Sequence, residues 1–223
     1  MADTTTQRST IHHVLQARQP TWCDTFDMPI VVRFQTEEAE RQSMKRLGLC
    51  DLSGLSKLGF KGRDSASWLE SKNINVPAAV YESSRLADDG LIVRIATDEF
   101  FLESGISNQT VPTLSSKIES LSGHVFHVER HEATFLLVGT RAIDVLAQTC
   151  GINFEEAVAR RVIYSRVAGV SCGILPDSIG ELPAYRLWID PSYAVYMWET
   201  LEQICHDLGG TAVGAGCLFP NWP

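Results

Sequence analysis

Residues Gly48 to Leu69 read GLCDLSGLSKLGFKGRDSASWL, and this stretch decides the fold class. Leu49, Leu52, Leu55, Leu58 and Phe60 are spaced as a chain leaving a helix end and entering strands. Gly62-Arg63-Asp64 then turns the chain, and Asp64 or Ser65 is set to cap a helix that carries Trp68 and Leu69. Two short apolar strands and a helix start in so few residues predict a mixed, α+β arrangement.

The neighbouring segments extend this reading. Upstream, residues 9–34 predict a short helix, a break at Pro20 and a strand from Ile30 to Phe34. Thr36 to Leu47 is a charged helix with Glu37 and Glu38 in its first turn and Lys45-Arg46 in its last, which suits the helix dipole and reads as a solvated face. Downstream, Leu91–Ala96 and Phe100–Leu102 form a hairpin around Thr97-Asp98-Glu99. Val111, Leu114, Ile118 and Leu121 give Asn108–Leu121 a helical stripe that Gly123 stops. Strands are expected at 124–128 and 134–138, then a helix opened by Gly139 to Ala142. Strand, turn and helix thus occur twice, around Gly62 and around Gly139, and predict two α+β halves with a boundary near residue 106. In the last third, strands near 162–167 and 170–175 precede the GELPAYRLWI stretch. Pro191 then begins a helix, Tyr193–Leu208, with Val195, Trp198, Leu201 and Ile204 as its core stripe, ended by Gly209-Gly210.

The bulk properties narrow the function classes. At 223 residues, 44% apolar and 21% charged, the chain has room for a sizeable core. A net charge of −8 argues against a broad nucleic-acid or anionic-membrane surface. No run approaches the roughly 18 apolar residues that a span requires, and Met1–Thr10 lacks a signal-peptide pattern. The six scattered cysteines include no CxxC pair and fit reduced, buried thiols, so a cytoplasmic location is expected. His12-His13 point different ways on a helix, and His127 and His131 share one extended segment with Glu129; neither set converges on a metal, and no metal is expected.

Three separated blocks carry a resemblance. The 48–69 stretch is similar to the DxSxxGKxxVxGxDAxxFL segment of the glycine-cleavage T-protein family, the folate-dependent aminomethyltransferases. Thr10-Ile11-His12 and Met28-Pro29 resemble that family's opening, and residues 180–218 parallel its Gly-Glu, xxWxxL and glycine-rich closing blocks. The resemblance covers residues 9–218. It implies an α+β fold of two ferredoxin-like halves, the aminomethyltransferase folate-binding fold, here without the C-terminal barrel domain, as in the γ subunit of heterotetrameric sarcosine oxidase. The expected organisation is a tail at 1–9, a first half at 10–106, a second half at 107–218 and a C-terminal tail at 219–223.

The resemblance also implies a site. The family places a carboxylate beside the reduced pterin, and Asp88-Asp89 stand at the matching place as candidate catalytic acids; Asp88-Asp89-Gly90 equally reads as a hairpin turn. Ser84-Arg85 replace the family's Gly-Gly pair before these acids, and Glu103-Ser104-Gly105 its Asn-Ala. The family's pterin-holding acid follows an aromatic, and that position is Arg186, after Tyr185. A guanidinium cannot accept the pterin's N–H bonds, so Glu181, with Tyr185 and Trp188 stacking on the ring, is the alternative; both aromatics also read as strand core. The implied function is tetrahydrofolate-dependent one-carbon transfer. The alternatives are a non-catalytic subunit beside flavin-oxidoreductase partner chains, supported by Arg186, or a repurposed pocket in which Arg186 reads an anion. Phe219 and Trp222 suggest a docking surface at the C-terminal end, or a tail packed on its own core.

Overall fold

The computed structural model describes residues 7–24, 28–121 and 123–219. Most of both expected tails (1–6 and 220–223), and with them Trp222, lies outside the described residues. In chain order, α1 (His12–Gln16), β1 (Thr21–Cys23), β2 (Ile30–Arg33) and α2 (Glu37–Arg46) precede the opening stretch. That stretch supplies β3 (Gly48–Asp51), β4 (Lys57–Lys61) and α3 (Ser65–Glu70), the two strands and helix start read from its sequence. There follow β5 (Ser83–Arg85), β6 (Leu91–Ala96), β7 (Glu99–Glu103), α4 (Thr110–Ser115), β8 (Phe126–Val128), β9 (Ala133–Val138) and α5 (Ala142–Thr149). The chain continues with β10 (Ile163–Val167), β11 (Val170–Ile179), β12 (Leu182–Ile189), α6 (Ala194–Asp207), β13 (Thr211–Ala212) and α7 (Ala215–Leu218).

The chain forms two compact units that interleave along the sequence. Of the described residues, one comprises those in 7–54, 132–159 and 163–219; the other comprises those in 55–131 with 160–162. The reason lies in strand pairing. β3 does not pair with the next strand, β4, but lies antiparallel to β9, with Cys50 opposite Leu136 and Asp51 opposite Phe135. Leu52 N–H continues this pairing by donating to the Thr134 carbonyl at 2.8 Å. Residue 106, the boundary expected from the repeat, falls between β7 and α4 inside the inserted unit.

The inserted unit has a five-stranded sheet in the order β5-β6-β7-β4-β8. With β5 set aside, β4-α3-β6-β7-α4-β8 is the βαββαβ pattern of a ferredoxin-like fold. Alternation puts Leu58, Phe60, Ile92, Phe100 and Leu102 on one face, where Leu69, Val111 and Leu114 of α3 and α4 complete the core. The expected helix over 108–121 divides into α4 and a short 3₁₀ turn, Ile118–Ser120. Ser116 marks the break. Ser116 Oγ bonds the Thr113 carbonyl and Lys117 N–H bonds Leu114, so the last turn tightens instead of propagating.

The other unit has a six-stranded sheet in the order β10-β11-β12-β9-β3-β13. Here β9-α5-β11-β12-α6 repeats the ferredoxin-like order, and β3 takes the place beside β9. β13, after α6, runs parallel to β3 at the edge. Leu49, Phe135, Leu137, Tyr185, Leu187 and Ile189 line the helix-covered face, against Met197, Trp198 and Leu201 of α6. Phe135 meets Trp198 edge-on at 5.4 Å.

α2 departs from the solvated helix that its sequence predicts. Thr36 caps it, accepting from Ala39 N–H. Glu40, however, is 1% exposed. Its Oε1 accepts from the N–H groups of Phe34 and Gln35 at 2.5 and 2.8 Å, and its Oε2 from Gly214 N–H at 2.8 Å. One carboxylate thus ties the end of β2 to the turn before α7. Glu40→Gln turns an amide donor on one of these donors, and a loss of about 2 kcal/mol is expected in urea unfolding. An unchanged midpoint would show that the three bonds carry nothing.

α3 corrects a second expectation. Asp64 stands at its N-cap but makes no cap bond. Its carboxylate instead accepts from His124 N–H at 3.0 Å, and that bond first of all lowers its pKa.

Candidate functional site

Asp88 and Asp89 lie in the turn between β5 and β6, in the inserted unit. Leu86 N–H donates to Gly90 O and Asp89 N–H to Leu86 O, closing the turn. The two acids part company here. Asp89 is exposed, with φ +61°, a left-handed turn position that Asp and Asn tolerate. Asp88 is 7% exposed. Its Oδ1 accepts from Gly90 N–H at 3.1 Å, while Oδ2 accepts from Gln109 N–H at 3.2 Å and Thr110 N–H at 2.9 Å. The carboxylate therefore serves the first N–H groups of α4, which no intrahelical acceptor reaches. The backbone here is close enough to require glycine: a Cβ on Gly105 would stand 1.6 Å from the Asp88 carbonyl oxygen.

A charged pair lies buried on a neighbouring part of the same sheet. Lys57 of β4 and Glu103 of β7 are register partners, with Nζ 3.6 Å from Oε2 and side-chain exposures of 3% and 0%. Lys57 Nζ also donates to the Leu55 carbonyl at 2.9 Å. Sequence reasoning noted Glu103 only as a departure from the family pattern and did not single out Lys57. The alternation K-L-G-F-K puts Lys57 opposite the core residues Leu58 and Phe60, so period alone assigns it to solvent. The signal that marks the pair is the β4–β7 register, which the sequence does not show.

The four candidate ligand-holding residues lie on the β11–β12 hairpin of the other unit. Gly180 turns it with φ +60°, and Glu181 is exposed in that turn. Extended chain from Leu182 onward sets Glu181 about 17 Å along the hairpin from Arg186. Tyr185 points to the helix-covered core, edge-on to Phe154 at 5.7 Å, and burial raises its hydroxyl pKa. Arg186 and Trp188, 4% and 7% exposed, share the opposite face with Cys50, Thr134 and Leu136. The hairpin therefore groups Arg186 with Trp188 and separates them from Tyr185 and Glu181. Burial pushes the Cys50 thiol pKa well up, against a weaker pull down from the Arg186 charge.

The histidines are dispersed. His12 stacks on Trp22 at 4.3 Å, His124 meets Asp64, and His131 meets Glu129. Among the described residues no group of three or more His, Cys, Asp or Glu is placed to hold a metal ion. Among them, too, no helix is long and apolar enough to cross a membrane.

The GCVT N-terminal domain family matches residues 11–219. The chain belongs to that family. It is similar to an aminomethyltransferase of Alkaliphilus metalliredigens, with 22% identity over 83% of this chain and 54% of that protein. With one of Streptomyces coelicolor it shares 22% identity over 97% of this chain and 62% of the relative. The chain thus spans a little over half the length of these relatives. Among solved structures, the fold resembles glycine cleavage system aminomethyltransferase T from Bartonella henselae, with a TM-score of 0.74 and 13% identity, covering 96% of this chain and 61% of that one. It also resembles a chain of heterotetrameric sarcosine oxidase from Corynebacterium sp. U-96, with a TM-score of 0.65 and 18% identity, covering 92% of this chain and 97% of that one. The expected α+β aminomethyltransferase fold is therefore the observed one, and no barrel occurs among the described residues.

Proposed function

We propose that this member of the GCVT family is a non-transferring subunit, similar to the γ chain of sarcosine oxidase, that works bound to larger flavin-bearing chains. The observation that carries this reading is the Asp88 carboxylate. Both its oxygens are already taken by backbone N–H groups, three in all, so it is a poor proton carrier for an amine. Arg186 in place of a pterin-holding acid supports the same reading, because a buried guanidinium offers donors where the ring needs acceptors. The six cysteines, all outside disulfides, accord with a reducing, cytoplasmic setting.

A second reading, one-carbon transfer with tetrahydrofolate, draws on the named aminomethyltransferases that match most of the chain. In that reading Asp89 is the acid.

Titration calorimetry of the purified chain with tetrahydrofolate and 5,10-methylenetetrahydrofolate separates the two. The subunit reading expects no heat and no transfer from the chain alone, and a complex that co-purifies when it is co-expressed with flavin subunits of the sarcosine oxidase type. Micromolar folate binding with turnover that Asp89→Asn abolishes would overturn it and establish the transferase.

A further inference from the structure

Two thiols outside the site described above lie in the core near the outer end of the six-stranded sheet, one on each side of Ser165. Cys150 follows α5 as its C-cap and lines an open groove of about 310 Å³ with Ile143, Ala147, Ile152 and Phe154. Its S–H donates to Ser165 Oγ on β10 at 3.5 Å. Ser165 is the register partner of Cys172 on β11, so the two side chains leave the sheet on the same face. Directly opposed residues of an antiparallel pair hold their Cβ atoms about 4.5–5.5 Å apart, which sets Cys172 beside Ser165. Cys150 thus touches the side chain that stands beside Cys172. Both cysteines belong to the same core cluster, and neither is in a disulfide.

We infer that Cys150 and Cys172 form an oxidisable pair in which Cys150 meets a hydroperoxide in the groove and Cys172 resolves the product to an intramolecular disulfide. In the first step the Cys150 sulfur attacks the peroxide. The O–O bond breaks, an S–O bond forms, sulfur is oxidised to a sulfenic acid, and the peroxide is reduced to water or an alcohol. In the second, the Cys172 sulfur displaces hydroxide from that sulfenic sulfur; the S–S bond forms and the thiol proton leaves with the hydroxide as water. The order follows from position. Cys150, itself only 9% exposed, borders the open groove, whereas Cys172 is 3% exposed and donates its S–H to the Gly173 carbonyl at 3.5 Å. Burial pushes the Cys172 thiol up to about 12, so it is protonated at neutral pH and acts only once an electrophilic sulfur has been brought against it.

The test uses the whole chain carrying Cys23→Ser, which removes the more exposed thiol. Brief hydrogen peroxide treatment, alkylation and peptide mapping without reductant are expected to give a Cys150–Cys172 cross-linked peptide that dithiothreitol removes. Cys172→Ser is expected to leave Cys150 as a dimedone-trapped sulfenic acid, and Cys150→Ser to leave Cys172 fully alkylatable after unfolding. Recovery of both cysteines as separately alkylated thiols would overturn the proposal. Equal oxidation of Cys172 in the Cys150→Ser chain would overturn it as well, because the order of reaction would then be wrong.

Discussion

Replacing Glu103 by alanine is expected to cost the chain about 3 to 5 kcal/mol, read as a lowered urea midpoint. The reason is what remains behind. Lys57 is 3% exposed in its side chain, and without Glu103 its ammonium loses the carboxylate 3.6 Å away while staying shut off from water. The attraction of a buried pair about repays the cost of desolvating both charges, so the loss comes mainly from orphaning one of them. Lys57→Met alone strands the carboxylate in the same way and should cost a similar amount. The double variant, Lys57→Met with Glu103→Leu, removes both charges and fills the volume, and should recover to within about 1 kcal/mol of the parent. Two single costs that simply add in the double variant would show that the charges do not act as a pair. The antiparallel pairing of β4 with β8 and of β7 with β6 should then be held by the apolar face alone.

Local pattern made the secondary structure legible and left its long-range use hidden. The Gly48–Leu69 stretch yields its two strands and its helix because apolar spacing and the Gly62 turn are local signals. Nothing in it says that β3 pairs with β9, more than eighty residues on, while β4 pairs with β7 and β8. β13 is just two residues long and parallel to β3, too short for a period to register. The charged helix α2 hid Glu40 for the same reason. One of its three donors is Gly214, 174 residues away, and the other two lie before the helix, whereas the helix-dipole argument weighs only charges within the helix. The aromatics of the last block divided in the one way alternation does foretell. Tyr185 and Leu187 take one face, Arg186 and Trp188 the other, so a stacking role shared by Tyr185 and Trp188 conflicts with the period of a strand.

Asp88 and Asp89 give the prediction in which stability and function separate. Asp88→Ala is expected to cost about 3 kcal/mol, because it leaves the N–H groups of Gly90, Gln109 and Thr110 without their carboxylate acceptor. Asp88→Asn keeps the shape and one oxygen, and should cost about half as much. Asp89→Asn should move the urea midpoint by less than about 0.5 kcal/mol, since the residue is exposed and asparagine accepts its φ of +61°. These costs belong to the fold whatever the chain does. If a folate-dependent turnover is found, the pair of measurements assigns the acid: loss in Asp89→Asn with an unmoved midpoint marks Asp89 as the chemical group. Loss in Asp88→Asn that tracks the fall in stability marks Asp88 as the residue that holds α4 and the turn in place. Should Asp88→Ala unfold at the parent's midpoint, the capping role fails, its carboxylate is available to a ligand, and the case for a non-transferring subunit loses the observation on which it stands.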